Sequence, residues 1–271
     1  MKIAVVTSDG HEHRYVLDRL NAALGNHIAL VVIEKWPKRK TGFASFKAQF
    51  KRYTAAQVAE RIVTKLGRKL LRHPQRLSAG VTEVLGPLRA LPAALDYFET
   101  PSANRPECVA RLRALAPDYI LIYGTGIIRQ GVIESSSRAT LNLHTGISPH
   151  YRGSDCEFWP LYRGEPGMVG ATVHECTAAV DGGAIYTTRA ANMTGSDTVF
   201  TAFGKSVQVG AEIYADIAAR LAAGECLEPM PQNFSIGREY RFKDRTLIQD
   251  LTMEIRTATG SLGRVIAAAG R

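Results

Sequence analysis

Asn142 and His144 are the two side chains of this sequence best placed to act together in a reaction. They lie two positions apart at the end of the run Ala-Thr-Leu-Asn-Leu over residues 139–143, which is typical of a short strand. Side chains two apart on a strand point to the same face of the sheet. An amide N–H can donate to an oxygen that becomes negative during acyl transfer, and an imidazole can do the same or move a proton. Because Asn-x-His also occurs by chance in sheet proteins, the pair alone does not establish a catalytic site.

Two features that follow the pair strengthen the case for a catalytic site. The run Pro149-His-Tyr-Arg-Gly153 forms a stiff polar turn directly after it, and the run Val180-Asp-Gly-Gly183 comes later in the chain. A carboxylate on a tight glycine turn can orient an imidazole and hold its proton. The sequence therefore predicts Asp181 as the third catalytic residue.

The order of these motifs resembles that of the folate-dependent formyltransferases. This family includes methionyl-tRNA formyltransferase, glycinamide ribonucleotide transformylase and the amino-sugar N-formyltransferases. The resemblance covers residues 85–225 and, more loosely, the first strand. It implies that Asn142 steadies the formyl oxygen, that His144 stabilises and protonates the intermediate, and that Asp181 assists proton transfer.

The resemblance also implies a formyl donor, 10-formyltetrahydrofolate, and no metal. The residues implied to line its pterin pocket are Gly126, Ile127 and Ile128, together with the loop Thr177, Ala178, Ala179 and Val180. Backbone groups can read the pterin edge, so the side chains there are free to vary. One departure is Thr145-Gly146, where many members of the family have Pro-Ser. It leaves the acceptor subfamily open.

The elements around these motifs indicate an α/β fold. The apolar runs that predict strands are residues 2–7, 28–33, 119–123, 139–143, 169–175 and 184–188. Near-continuous apolar runs are typical of parallel strands that are buried on both faces. Ser196 or Asp197 is expected to cap a helix that runs to about Ala223. We therefore expect a Rossmann-like, mostly parallel sheet with helices on both faces, formed by a catalytic domain over residues 1–225, and a short C-terminal extension over 226–271.

A basic helical insertion is expected at about residues 35–80. Thirteen of the 34 lysines and arginines lie between Lys35 and Arg76, opposed there only by Glu60, and the whole chain carries a net charge of +9. Phe43, Phe46 and Phe50 recur at helical spacing. Three interpretations stay open: a solvated basic face, a docking surface for an anionic acceptor or an anionic membrane, and, less favoured, a nucleic-acid surface.

The acceptor is expected to be a primary amine. The 45 or so residues after the catalytic domain are too few, and too poor in strands, for the tRNA-reading β-barrel of methionyl-tRNA formyltransferase. Residues 153–164 look more like those of the amino-sugar enzymes, which favours an amino sugar carried on a nucleotide diphosphate or lipid phosphate. Other functions that stay open are a methionyl-tRNA formyltransferase-like activity, a formyl-tetrahydrofolate hydrolase and a non-catalytic folate-binding protein. A homodimer is also open.

The cysteine and N-terminal patterns favour a soluble cytoplasmic protein. The four cysteines show neither C-x-x-C spacing nor zinc-site spacing, so we expect reduced thiols. The first apolar run is too short for a signal peptide. Among the other histidines, His174 is expected to be structural, whereas His11 and His13 either are solvated or contact the acceptor, because they follow the first strand.

Overall fold

A central sheet of seven strands organises the chain in the computed structural model, which describes residues 1–35, 54–177 and 181–270. Including two strands outside this sheet, the described residues form β1 (Ile3–Thr7), β2 (Ile28–Glu34), β3 (Tyr97–Thr100), β4 (Tyr119–Tyr123), β5 (Ala139–His144), β6 (Tyr151–Gly153), β7 (Gly170–Glu175), β8 (Ile185–Ala190) and β9 (Arg238–Tyr240). Their order in the sheet is β3-β2-β1-β4-β5-β7-β8, and β6 pairs with β9 in a separate parallel ribbon. Strands β1 to β5 are parallel, whereas β7 and β8 are antiparallel to their neighbours.

Helices cover both faces of this sheet. They are α1 (His11–Leu24), α2 (Ala55–Leu70), α3 (His73–Leu85), α4 (Pro106–Leu115), α5 (Gln130–Ile133), α6 (Phe158–Arg163), α7 (Val199–Ala222), α8 (Leu247–Ala258) and α9 (Ser261–Ala269). Alternate residues of β1 enter two separate cores, since Val5 packs with α1, α3 and α7, whereas Val6 packs with α4 and α5. The predicted α/β class, with a mostly parallel sheet between two helical layers, is confirmed.

The strand order creates a crevice where β1 and β4 lie side by side. The chain proceeds from β1 towards β2 on one side and from β4 towards β5 on the other. In open α/β sheets such a reversal of strand order leaves a ligand site outside the carboxyl ends of the strands. Asn142 and His144, which are predicted to be catalytic, lie on the neighbouring strand β5 at this same edge of the sheet.

The basic segment contributes two helices of different character. α3 belongs to the core, because Gly80 lets it approach the backbone of Phe200 on α7 and Gly204 of α7 lies against Val84. α2 lies farther out and packs on α8 near the C-terminus. The end of the predicted insertion is therefore a core crossover helix, and its phenylalanines, Phe43, Phe46 and Phe50, lie outside the described residues.

The C-terminal residues fold back onto the rest of the chain. β9 pairs with β6, and the Tyr240 ring stacks on Trp159 with 4.6 Å between ring centroids. All four cysteines carry free thiols. Within the described ranges, no helix is both long and apolar enough to cross a membrane.

Candidate active site

The antiparallel pairing of β5 with β7 assembles the centre of the site. Asn142 lies directly opposite His174 in the register of the two strands. Asn142 Nδ2 lies 3.2 Å from His174 Nε2. His144, two residues along β5, is buried, and its ring centroid lies 6.5 Å from that of His174. One amide and two imidazoles therefore meet at the carboxyl end of β5.

Asp181 joins this cluster from the turn between β7 and β8. Its backbone is left-handed (φ 47°), and its Oδ2 accepts a hydrogen bond of 2.8 Å from the Gly153 N–H. One carboxylate oxygen lies 3.5 Å from His144 Nδ1 and the other lies 3.5 Å from His174 Nε2. The structure thus brings together all three predicted catalytic residues and adds His174.

The charge state of Asp181 follows from its surroundings. Burial alone would raise the pKa of its carboxyl, but the two imidazoles and the Gly153 N–H hold that pKa well below the ordinary 3.8. Asp181 is therefore anionic at neutral pH. At 3.5 Å it acts on both rings mainly through its charge, because these separations exceed a normal hydrogen bond.

The ring nitrogens of His144 have distinct roles. His144 Nε2 lies 3.0 Å from the Tyr151 carbonyl oxygen, which only accepts, so the proton is on Nε2. His144 Nδ1 faces Asp181. The Tyr151 carbonyl and the Asp181 carboxylate therefore fix the orientation of the His144 ring.

His174 is fixed in the same way. Its Nδ1 lies 2.7 Å from the Glu175 carbonyl oxygen and must donate to it, which leaves Nε2 to face Asn142 and Asp181. Sequence reasoning gave His174 a structural role because it was an isolated histidine on a strand. The place of His174 in the site becomes visible only from the β5–β7 register, which pairs it with Asn142.

Gly146 explains how the His144 ring fits beneath the following loop. A Cβ at this position would overlap His144 Nε2 and lie 2.6 Å from Cys156 Cβ and 2.8 Å from the Tyr151 carbonyl oxygen. Such approaches are too close for any side chain. The Thr145-Gly146 departure from the family pattern therefore makes room for the imidazole.

The segment predicted to line the pterin pocket is held from behind by two side chains. The buried Glu34 carboxylate accepts hydrogen bonds from the N–H groups of Gly126 (2.8 Å) and Ala103 (2.6 Å). Asn104 donates to the Ile127 carbonyl (2.8 Å). Ile127 is itself 78% exposed, which suits packing against a flat ring. Sequence reasoning missed Glu34 and Asn104 because their partners lie far away in the chain.

The second predicted part of the pocket is only partly described. Thr177 is exposed just after β7, whereas Ala178, Ala179 and Val180 lie outside the described residues. Within the described residues, no group of three or more His, Cys, Asp or Glu side chains is arranged to hold a metal ion. The metal-free site stays a prediction.

A C-terminal strap, defined here as residues 230–240, holds both loops of the site. The Gln232 amide donates to the carbonyls of Asp181 (2.8 Å) and Gly183 (2.6 Å). The Arg152 guanidinium lies over the Phe234 ring, 4.5 Å from its centroid. Tyr240 stacks on Tyr151 with 5.7 Å between centroids. The extension predicted from sequence therefore supports the turn that carries Asp181.

The loop after β1 borders the same crevice. His13 accepts from the Gly10 N–H through Nδ1 (3.2 Å) and donates through Nε2 to the Gly124 carbonyl (3.1 Å), so it ties β1 to β4. His11 differs, because its Nε2 is buried and finds no hydrogen-bond partner among the described residues. A contact of His11 with the acceptor stays a prediction.

The fold and the cluster define a Rossmann-like α/β protein with an Asn–His–Asp site at the edge of its sheet. Residues 1–217 match the family model described as formyl transferase, and the chain belongs to that family. The resemblance found in the sequence motifs is confirmed.

Individual relatives agree with this family. A methionyl-tRNA formyltransferase from Koribacter versatilis is 31% identical over 131 residues, which are 48% of this chain and 41% of the relative, so the chain matches less than half of that relative's length. The sugar N-formyltransferase from Shewanella sp. FDAARGOS_354 superposes with a TM-score of 0.56 at 14% identity, over 90% of this chain and 78% of that one. An N-formyltransferase from Helicobacter canadensis, in complex with folinic acid and dTDP-3-aminofucose, gives 0.53 at 11% identity, over 90% and 72%. These two structures support the fold alone.

Proposed function

We propose that this protein transfers a formyl group from 10-formyltetrahydrofolate to the primary amine of an amino sugar. The observation that carries the proposal is the cluster itself. The Asn142 amide lies 3.2 Å from His174, and the anionic Asp181 carboxylate lies 3.5 Å from both His174 and His144. Such a set can stabilise an oxyanion and move a proton without a metal.

The proposed roles follow from the contacts. Asn142 donates to the formyl oxygen as negative charge develops there during attack by the amine. His144 donates to the same oxygen by exchanging its Nε2 contact with the Tyr151 carbonyl for one with the formyl oxygen. Asp181 orients the His144 ring through Nδ1 and accepts the proton that the amine loses, directly or through water. His174 holds the Asn142 amide in place through its Nε2. The folate donor supplies the activated formyl group, and the backbone of residues 126–128 receives its pterin ring.

The acceptor class is supported by two observations. The bound ligands named for the Helicobacter canadensis enzyme are folinic acid and dTDP-3-aminofucose, an amino sugar on a nucleotide diphosphate. In this chain, α1 begins at His11 shortly after the carboxyl end of β1, and the N–H groups of its first turn can donate to an anion. We infer that the acceptor carries phosphate, on a nucleotide or on a lipid.

The test is an acceptor screen with purified protein and 10-formyltetrahydrofolate. The panel contains amino sugars linked to nucleotide diphosphates, their free sugars, glycinamide ribonucleotide and methionyl-tRNA. We expect tetrahydrofolate release that depends on a nucleotide-linked amino sugar. Turnover with methionyl-tRNA and with no other acceptor of the panel would show that the acceptor is methionyl-tRNA and not an amino sugar. Formate release without any amine would identify a hydrolase, and folate binding without any turnover would identify a non-catalytic binding protein.

The remaining assignments of location and partners stay predictions. They are a cytoplasmic location, the possibility of a homodimer and the absence of a nucleic-acid partner. Size-exclusion chromatography with light scattering tests the homodimer, and a gel-shift assay with tRNA tests the nucleic-acid partner.

A further inference from the structure

Two neighbouring helices away from the active site expose rows of large apolar side chains. The rows are Val63, Leu66 and Leu70 on α2 and Ile248, Leu251 and Ile255 on α8, which together we name the α2–α8 patch. Their exposed fractions run from 42% for Leu251 to 84% for Leu70. Single exposed apolar residues are ordinary on protein surfaces, whereas a contiguous set marks an interaction site.

The two rows join into one surface because the helices touch between them. Leu247 of α8 packs onto Gly67 of α2, where any side chain would overlap it, and the Leu247 N–H donates to Thr64 Oγ1 (3.2 Å). Residues 63 and 70 lie four before and three after Gly67, on the same side of α2. Residues 251 and 255 lie four and eight after Leu247, on the same side of α8. Both rows therefore border the Gly67–Leu247 contact.

Cations flank the patch along α2. Lys65, Lys69 and Arg72 are exposed, and none forms an ion pair within the ranges that the structure describes. The carboxylates of α8 are already engaged, since Asp250 pairs with Arg68 (2.6 Å). Glu254 likewise pairs with Arg76 of α3 (2.7 Å). Glu60 is the sole acid in the sequence of α2 and lies near its N-terminal end. The edge of the patch is therefore positively charged.

We propose that the α2–α8 patch docks the protein on an anionic membrane surface. A lipid surface offers acyl chains to the apolar rows and negative headgroups to Lys65, Lys69 and Arg72, as for basic amphipathic helices that lie in the interface. A second copy of the chain fits less well, because a two-fold interface uses the same patch on both subunits and would bring these cations together. The proposal does not depend on the chemistry of the active site.

Vesicle sedimentation with the full chain tests this proposal. The wild type should bind vesicles of phosphatidylcholine mixed with phosphatidylserine, bind pure phosphatidylcholine far less, and be released by salt. Lys65→Ala with Lys69→Ala should weaken binding on the order of 30-fold, since each cation near the surface contributes about fivefold. Leu66→Ser with Leu70→Ser should weaken it by at least about tenfold.

Matched controls lie elsewhere on the surface. Arg19→Ala with Arg113→Ala removes the same charge from exposed sites on α1 and α4, and Leu88→Ser removes an exposed apolar side chain outside the patch. Both should bind vesicles like the wild type. The proposal is overturned if the wild type does not bind anionic vesicles, or if the patch variants bind these vesicles as well as the controls do. A dimer in light scattering that Leu66→Ser with Leu70→Ser abolishes would instead make a second copy the occupant.

Discussion

Replacing Gln232 by glutamate removes both hydrogen bonds that hold the turn carrying Asp181. The Gln232 amide donates to the backbone carbonyls of Asp181 (2.8 Å) and Gly183 (2.6 Å). A carboxylate of the same size only accepts, so it would face two carbonyl oxygens with no proton to share. The substitution therefore tests positioning with almost no change of shape.

The expected magnitude follows from these two contacts. Each hydrogen bond contributes about 0.5–1.5 kcal/mol net, so Gln232→Glu should lower the free energy of unfolding by about 1–3 kcal/mol. The turn also sets the distance of Asp181 from His144, and a misplacement of about 1 Å in a catalytic constellation can cost on the order of 100-fold in rate. We expect kcat to fall by roughly 10- to 100-fold.

The assay is kcat measured from neutral to mildly acidic pH, beside urea unfolding at the same pH values. As the glutamate becomes protonated it regains one O–H donor, so the ratio of variant to wild-type kcat should rise towards low pH. Gln75→Glu, at an exposed position on α3, makes the same chemical change away from the site and should leave kcat unaltered. A folded Gln232→Glu variant with wild-type kcat at every pH would show that the two Gln232 hydrogen bonds do not position Asp181.

Three further substitutions test the electrostatics of Asp181 and of Glu157, which directly precedes α6, and the packing at Gly146. Asp181→Asn should lower the free energy of unfolding at neutral pH, because folding holds the Asp181 pKa below 3.8, and this loss should shrink in urea titrations as the pH falls below 3.8. Burial, followed by the Asp155 carboxylate, raises the pKa of Glu157 from 4.5 to about 7, so wild-type stability should fall as the pH rises between these values, and Glu157→Gln should flatten that fall. Gly146→Ala should displace the His144 ring and reduce kcat on the order of 100-fold, while Gly167→Ala, where a Cβ meets nothing within 4 Å, should keep wild-type kcat.

Each of these predictions has a clear contrary result. An Asp181→Asn loss that stays constant into acid would mean that Asp181 is not held anionic. A Glu157→Gln variant whose stability changes with pH as the wild type does would place the titration on another group. Equal kcat for Gly146→Ala and Gly167→Ala would show that the His144 ring does not need the space at Gly146.

The parts of the fold that the sequence predicts are those governed by local pattern. β1, β2 and β4 are buried on both faces, so they appear as unbroken apolar runs and their positions were predicted to within a residue or two. The long helix α7 was also expected, but its cap is Thr198, whose hydroxyl accepts from Phe200 N (3.2 Å) and Thr201 N (3.3 Å). Asp197, one of the two expected caps, instead binds the Thr194 N–H and Lys205.

The parts that the sequence does not predict depend on distant contacts. His174 gains its place only through the register of β5 with β7, and Glu34 meets Gly126 across 92 positions of the chain. Gln232 lies 51 positions beyond Asp181 and reaches it only because the strap folds back over the site. No local pattern of residue types predicts such contacts between distant parts of the chain.

Label transfer from a carbon-13 formyl donor measures directly whether the protein moves a formyl group to an amino sugar. The wild-type protein, given labelled 10-formyltetrahydrofolate and a nucleotide-linked amino sugar, should produce a labelled formamide carbon in the NMR spectrum. Asn142→Ala, His144→Ala and Asp181→Ala should each slow its appearance on the order of 100-fold or more, while the protein stays folded. Labelled formamide formed at the wild-type rate by all three variants would show that Asn142, His144 and Asp181 do not carry out the transfer.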